Sequence, residues 1–189
     1  MSEPRPVYAV VGSDRFLRAA ALDEVLKLVD AHADDLGPVR VSGESGLADV
    51  LDEVRTPSLL GGRRVVVVED ADDFITAHRK ALERYVTDPS RDGCLILVCD
   101  SLPKNTNLHK SIAEHGEVRV CEPLKGPALN AWVQRRARET YGKKLAEPAL
   151  RRLKDLIGNE PGWIDTELGK LAAYVGARPE ITVEDGLDP

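Results

Sequence analysis

The sequence predicts an α/β protein whose parallel sheet carries helices on both faces, followed by a small domain built of helices alone. Three observations lead there. Short aliphatic runs alternate with longer helical patterns as far as Val120, the runs are continuous rather than alternating in polarity, and beyond Val120 they cease. Strands separated by helices of about ten or more residues are joined by crossovers, which makes neighbouring strands parallel. Unbroken runs at 65–68 and 95–98 belong to strands covered on both faces.

Taken in order, residues 7–11 are the first strand and 14–33 the following helix, with Asp14 placed to cap its first turn. A strand at 39–41 and a helix at 47–54 come next, and Thr56-Pro57 ends that helix. The valine strand 65–69 leads into Glu69, Asp70, Asp72 and Asp73, which read as a solvated, charge-rich strand end. Helix 77–86, strand 95–99, helix 105–114 and strand 118–120 complete the alternation. Glu122-Pro123-Leu124-Lys125-Gly126-Pro127 is a turn-rich hinge, and helices at 128–141, 147–157 and 163–175 follow, each with a glycine near its end. The α/β domain is thus 1–122 and the helical domain 123–180. Thr182 stands as an N-cap for another helix, so 181–189 reads as the start of a further domain of a longer protein.

Composition narrows the function. The 189 residues are 42% apolar and 31% charged, an ordinary globular balance, with only 4% aromatics, so aliphatic packing carries the core. The longest apolar stretches fall far short of the roughly 20 residues of a membrane span, and the N-terminus has no leader pattern, so a cytoplasmic protein is expected. Three cysteines lack paired spacing; Cys94 and Cys99 point to opposite faces of one strand, and buried thiols are expected. His32, His78, His109 and His115 fall at no ligand spacing, so neither metal nor cofactor is predicted.

Net charge is −6, unevenly spread. Residues 1–122 hold 15 Lys and Arg against 22 Asp and Glu, whereas 135–154 hold eight cations and only Glu139 and Glu147. Arg135, Arg136, Arg138, Lys143 and Lys144 are therefore candidate DNA-facing residues.

Several chemistries lose their support. After the first strand, Gly12 is followed by neither the second glycine nor the Lys-Ser/Thr pair that cradles phosphates, and Asp14 would repel an anion. No GxSxG, HExxH or GxGxxG motif occurs, which removes the usual signatures of hydrolase, metalloprotease and dehydrogenase. The stretch with most information is Leu51-Asp52-Glu53-Val54-Arg55-Thr56-Pro57-Ser58-Leu59-Leu60-Gly61-Gly62-Arg63-Arg64 before the valine strand. Its turn carries two adjacent leucines, which cannot both bury easily. Either one caps the core and the other is half exposed, or the pair is an apolar plug for a partner's pocket.

This stretch, together with the opening Val7-Tyr8-Ala9-Val10-Val11-Gly12-Ser13-Asp14-Arg15-Phe16-Leu17, resembles the delta subunits of bacterial DNA polymerase III, the clamp-loader components that open the sliding clamp. Leu95-Ile96-Leu97-Val98, Gly116-Glu117-Val118-Arg119-Val120-Cys121-Glu122-Pro123-Leu124 and the helix from Trp163 to Tyr174 extend the likeness. The resemblance implies an AAA+ type parallel sheet with flanking helices and a degenerate nucleotide site, a three-helix lid, and a C-terminal collar domain beginning near 181–189. It implies clamp binding through Ser58, Leu59 and Leu60. Some relatives carry an aromatic where this chain has Leu60, yet leucine still supplies about 2 kcal/mol on burial. The implied partners are the sliding clamp (beta subunit), the gamma/tau and delta prime loader subunits, and primed DNA. The implied role is that of an accessory subunit of a DNA-directed DNA polymerase, without catalysis of its own. Two other readings stay open at this stage: an AAA+ ATPase with an unorthodox site on Glu69 and Asp70, and a scaffold that uses its helical domain only for assembly.

Overall fold

The computed structural model describes residues 4–30, 37–57 and 62–186. The chain divides into two compact units, Met1–Pro123 and Leu124–Pro189.

In the first unit, strands β1 (Val7–Val11), β2 (Val39–Ser42), β3 (Arg64–Glu69), β4 (Gly93–Cys99) and β5 (Glu117–Val120) form one sheet in the order β2-β3-β4-β1-β5. Every pairing is parallel, with Val10 opposite Val98 and Val66 opposite Leu95. Helices α1 (Arg15–Asp30), α2 (Leu47–Arg55), α3 (Asp72–Thr87) and α4 (Asn107–His115) make the crossovers. The three inner strands are almost wholly buried, while β2 and β5 at the edges are half-buried. That contrast is why valine and leucine run unbroken only in β1, β3 and β4. Alternate residues Val7, Ala9, Val66, Val68, Leu95 and Leu97 pack under Val54, Phe74, Leu82, Leu108 and Ile112 of α2, α3 and α4. The side chains between them, among them Tyr8, Val10, Val67 and Ile96, point to the other face, and α1 packs against β1 with Leu17, Leu22, Val25 and Val29 buried. Each such aliphatic side chain contributes about 1.5 to 3 kcal/mol by leaving water.

Helix α3 starts earlier than the sequence pattern indicates. Asp72 and Asp73 lie in its first turn, where carboxylates favour the helix N-terminus, and His78 breaks the helical backbone with φ −117°. The periodicity legible from residue 77 is that of the segment beyond this kink. The first-turn acids are therefore helical, and Asp72 accepts hydrogen bonds from the backbone N–H of Asp100 (2.9 Å) and Ser101 (3.1 Å).

The second unit contains α5 (Gly126–Tyr141), α6 (Glu147–Ile157) and α7 (Pro161–Val175), with Leu129, Trp132, Val133, Leu150, Leu153, Ile164 and Leu168 buried. It is not helix alone. Strands β6 (Lys144–Leu145) and β7 (Glu180–Ile181) pair in parallel, closed by Lys144 N–H to Pro179 O (2.8 Å) and Ala146 N–H to Ile181 O (3.0 Å). At two residues each they leave no period to read. Beyond β7, Asp185 accepts from the Thr182 N–H (2.9 Å) and hydroxyl (3.1 Å), and Arg178 donates to it at 2.5 Å.

Gly93, at the start of β4, has the backbone of α2 directly on it: a side-chain Cβ there would stand 2.2 Å from Val54 O. Gly93→Ala should therefore lower stability by about 1 to 3 kcal/mol, because α2 must shift off the sheet. Chemical unfolding of the variant measures this; an unaltered midpoint would contradict the packing described.

Candidate functional site

In an open parallel sheet, ligands bind beyond the carboxyl ends of the strands, where successive connections depart in opposite directions. Here that place lies between β1, whose crossover leads to β2, and β4, whose crossover leads to β5. Phosphate-loop spacing counted from Gly12 puts Leu17 in place of the second glycine, Arg18 in place of the lysine and Ala19 in place of Ser/Thr. Arg18 is one of few buried charged residues, 7% exposed, and its guanidinium donates to Gly12 O at 2.5 Å and to the Asp100 carboxylate. A cation thus does occupy the lysine position, but it is turned onto the chain itself and ties the loop after β1 to the loop after β4. Gly12 (φ +155°) lies against the backbone after β5, where a Cβ would fall 2.1 Å from Cys121 O, so no side chain fits there. Asp14 caps α1 by accepting from Leu17 N–H at 2.9 Å.

The acids at the end of β3 are similarly engaged. Glu69 pairs with Arg40 of β2 at 2.6 Å, and Asp70 takes a left-handed backbone (φ +50°) that Asp tolerates. A cavity of about 220 Å³ beside them is lined by Arg15, Arg18, Leu22, Arg40, Glu69 and Asp70, so the acids face three guanidinium-bearing residues. This arrangement does not favour the ATPase reading.

Ser58, Leu59 and Leu60 belong to the connection from α2 to β3, which enters the sheet at the amino end of β3. All three lie outside the described residues, so the flanks are what can be described. Thr56 closes α2, its N–H and hydroxyl both donating to Asp52 O at 2.9 and 2.7 Å. Arg55 lies over the Tyr85 ring at 5.7 Å. On the far side, Arg63 donates to Pro4 O (2.9 Å), and Arg64 donates to one oxygen of Glu53 from Nε (2.8 Å) and Nη2 (2.5 Å). Sequence reasoning saw neither Arg18 nor the Glu53–Arg64 pair. Arg18 was findable from phosphate-loop spacing, whereas an ion pair between residues eleven positions apart leaves no sequence signal.

The five basic candidates of the second unit are not one patch. Arg136 makes two bonds to Asp165 (2.7 and 3.1 Å), which also accepts from the Tyr141 hydroxyl at 3.0 Å; burial, then Asp165, pushes that phenol up. Lys143 Nζ donates to Gly176 O and Arg178 O at the end of α7. Arg135, Arg138 and Lys144 are exposed, with Arg135 3.9 Å from Glu139.

All three thiols are buried. Burial pushes Cys94 and Cys99 up to about 12. Among the described residues no group of His, Cys, Asp and Glu is placed to hold a metal ion.

Residues 8–122 match the model of the family described as DNA polymerase III, delta subunit. The chain belongs to that family. It is similar to the DNA polymerase III subunit delta of Bacillus subtilis (strain 168), 24% identical over 196 aligned positions that cover 97% of this chain and 56% of that protein. Its fold is similar to that of the solved Bacillus subtilis DNA clamp loader delta protein (YqeN), with a TM-score of 0.80 at 23% identity over 97% of this chain and 57% of that one. The chain therefore spans little more than half the length of these relatives. Family and fold agree with the sequence expectation of a parallel sheet with flanking helices followed by three helices. No described helix is long and apolar enough to cross a membrane.

Two expected outcomes follow from the site. Arg18→Ala should cost about 1 to 3 kcal/mol, because Gly12 O is left buried without its donor while exposed Asp100 rehydrates; in the same thermal assay, millimolar ATP with magnesium should leave the native chain's Tm unchanged. A clear upward shift with ATP would restore the ATPase reading. For the thiols, a folded pKa raised above the unfolded value near 9 means stability is fully present below pH 9 and declines above it, by about 1.4 kcal/mol per pH unit for each of Cys94 and Cys99. Urea midpoints at pH 8 and pH 10.5, with a Cys94→Ala comparison, check the sign and the slope.

Proposed function

We propose that this chain is the clamp-engaging part of a DNA polymerase III delta subunit, which binds the sliding clamp and holds it open without hydrolysing nucleotide. The observation that carries the reading is the family match over residues 8–122, which spans the Ser58, Leu59 and Leu60 turn. Leu59 and Leu60 enter an apolar pocket on the clamp. The self-paired Arg18 accords with a subunit that leaves nucleotide binding to its sister subunits, here the gamma/tau and delta prime components. Opening is then a population shift, limited in size by the chain's preference for the open clamp over the closed one.

Primed DNA, held by the assembled loader, meets Arg135, Arg138 and Lys144, the three of the five candidate cations that are exposed. Arg136 and Lys143 support the second unit and act on DNA only indirectly. The chain works as an accessory of the polymerase in the bacterial cytoplasm.

Titration of the chain against a bacterial sliding clamp tests this. Leu59→Ala and Leu60→Ala should each weaken binding ten- to a hundredfold, about 1 to 3 kcal/mol, while leaving Tm close to that of the native chain. Unchanged affinity in the double variant, or a collapsed Tm of the kind that loss of core leucines gives, would overturn the assignment.

A further inference from the structure

Helix α3 carries on its outer side a group of cations that the fold leaves unpaired. Elsewhere in the first unit arginines are engaged: Arg18 with Asp100, Arg40 with Glu69, Arg64 with Glu53, Arg119 with Glu24 and Glu117. Among the described residues neither Arg79 nor Lys80 forms an ion pair, and Arg84 donates only from Nε to Lys80 O, at 3.3 Å. All three residues are exposed. The helix is broken at His78 (φ −117°, ψ 15°), whose ring meets Phe74 edge-on with 5.0 Å between centroids. At this break lies a cavity of about 500 Å³, walled by His78, Arg79, Lys80 and Arg84, with Thr76, Ala77 and Ala81 as its small side chains. Lys80 and Arg84 stand one turn apart on the same strip of the helix, and Ala77 and Ala81 run beside them, so the cations rise over a low floor. Among the described residues no carboxylate lines the cavity. The one carboxylate between residues 76 and 84, Glu83, is half-buried, and Asp72 and Asp73 stand back in the first turn, where Asp72 is bonded to the amides of Asp100 and Ser101.

We propose that this face of α3 is a contact for the phosphate backbone of duplex DNA, made by Arg79, Lys80 and Arg84 and separate from the cations of the second unit. It rests on the reading of DNA as a partner of the chain, and it is independent of the leucine turn. The make-up of the cavity selects the partner. A protein interface is anchored by large apolar or aromatic side chains, and Thr76, Ala77 and Ala81 supply none. Phosphate oxygens need only positive charge and N–H donors, which the three cations provide. No Phe, Tyr or Trp lines the cavity to stack a base, so the contact carries no sequence preference. Residues 1–122 as a whole hold 15 Lys and Arg against 22 Asp and Glu, so the binding is local, weak and steeply dependent on salt.

The native chain is titrated into a fluorescently labelled primed duplex over a range of salt concentrations, beside Arg79→Gln, Lys80→Gln with Arg84→Gln, and Arg135→Gln with Arg138→Gln, and Tm is measured for each. Lys80→Gln with Arg84→Gln should weaken binding about three- to tenfold at low salt and make the slope of log affinity against log salt shallower by about 2, because each lost phosphate contact releases about one counterion fewer. Arg79→Gln should make it shallower by about 1. Both variants should keep a Tm close to the native one, and duplexes of unrelated sequence should bind alike. Native affinity and slope in both α3 variants would overturn the inference. If the Arg135 and Arg138 variant weakens binding in that same assay, the α3 contact alone falls; if the native chain binds no duplex at low salt, the reading of DNA as a partner falls with it. A polyglutamate peptide tests for an acidic protein partner. Tighter binding of that peptide than of the duplex, lost in the Lys80 and Arg84 variant, would overturn DNA as the occupant.

Discussion

Everything in the first unit depends on the five strands running the same way. A parallel pair cannot be closed by a tight turn, so each strand is returned by a helix, and the helices bury both faces of the sheet. From that constraint come the unbroken valine and leucine of β1, β3 and β4, the polar edges, and the places where backbone meets backbone. At Gly12 and Gly93 the returning chain comes so close that no side chain fits. The same constraint separates the connections into two sets, those beyond the carboxyl ends of the strands and those beyond the amino ends.

The two sets have taken different chemistry. At the carboxyl ends the charged groups are engaged within the chain: Arg18 with Gly12 O and Asp100, Glu69 with Arg40, Asp72 with the amides after β4. These bonds hold the loops together from within. At the amino ends, the connection from α2 to β3 leaves from Thr56, bonded back to Asp52 O, and returns at Arg64, bonded to Glu53.

In the second unit, charge is used chiefly for architecture. Asp165 gathers Arg136 and the Tyr141 hydroxyl between α5 and α7, and Asp185 gathers Arg178 and Thr182 near β7. A count of basic residues along 135–154 does not distinguish a cation facing solvent from one bonded to a helix end. Burial does, and it leaves Arg135, Arg138, Lys144 and Arg151 exposed.

By itself the sequence determined the class of the fold, the order of strands and helices in the first unit, and the burial of the three thiols, because hydrophobic period and helix-ending residues act over a few neighbours and are written locally. It also carried the family likeness in the turn before the valine strand. Only the tertiary structure decided what Arg18 does, where α3 begins, that Lys144–Leu145 meets Glu180–Ile181, and that Glu53 clasps Arg64. Each of those is a contact between segments distant in the chain or a break too short to alter a period, and the partner of a charged side chain is set by which segments the fold brings within about 3 Å, which no local pattern records.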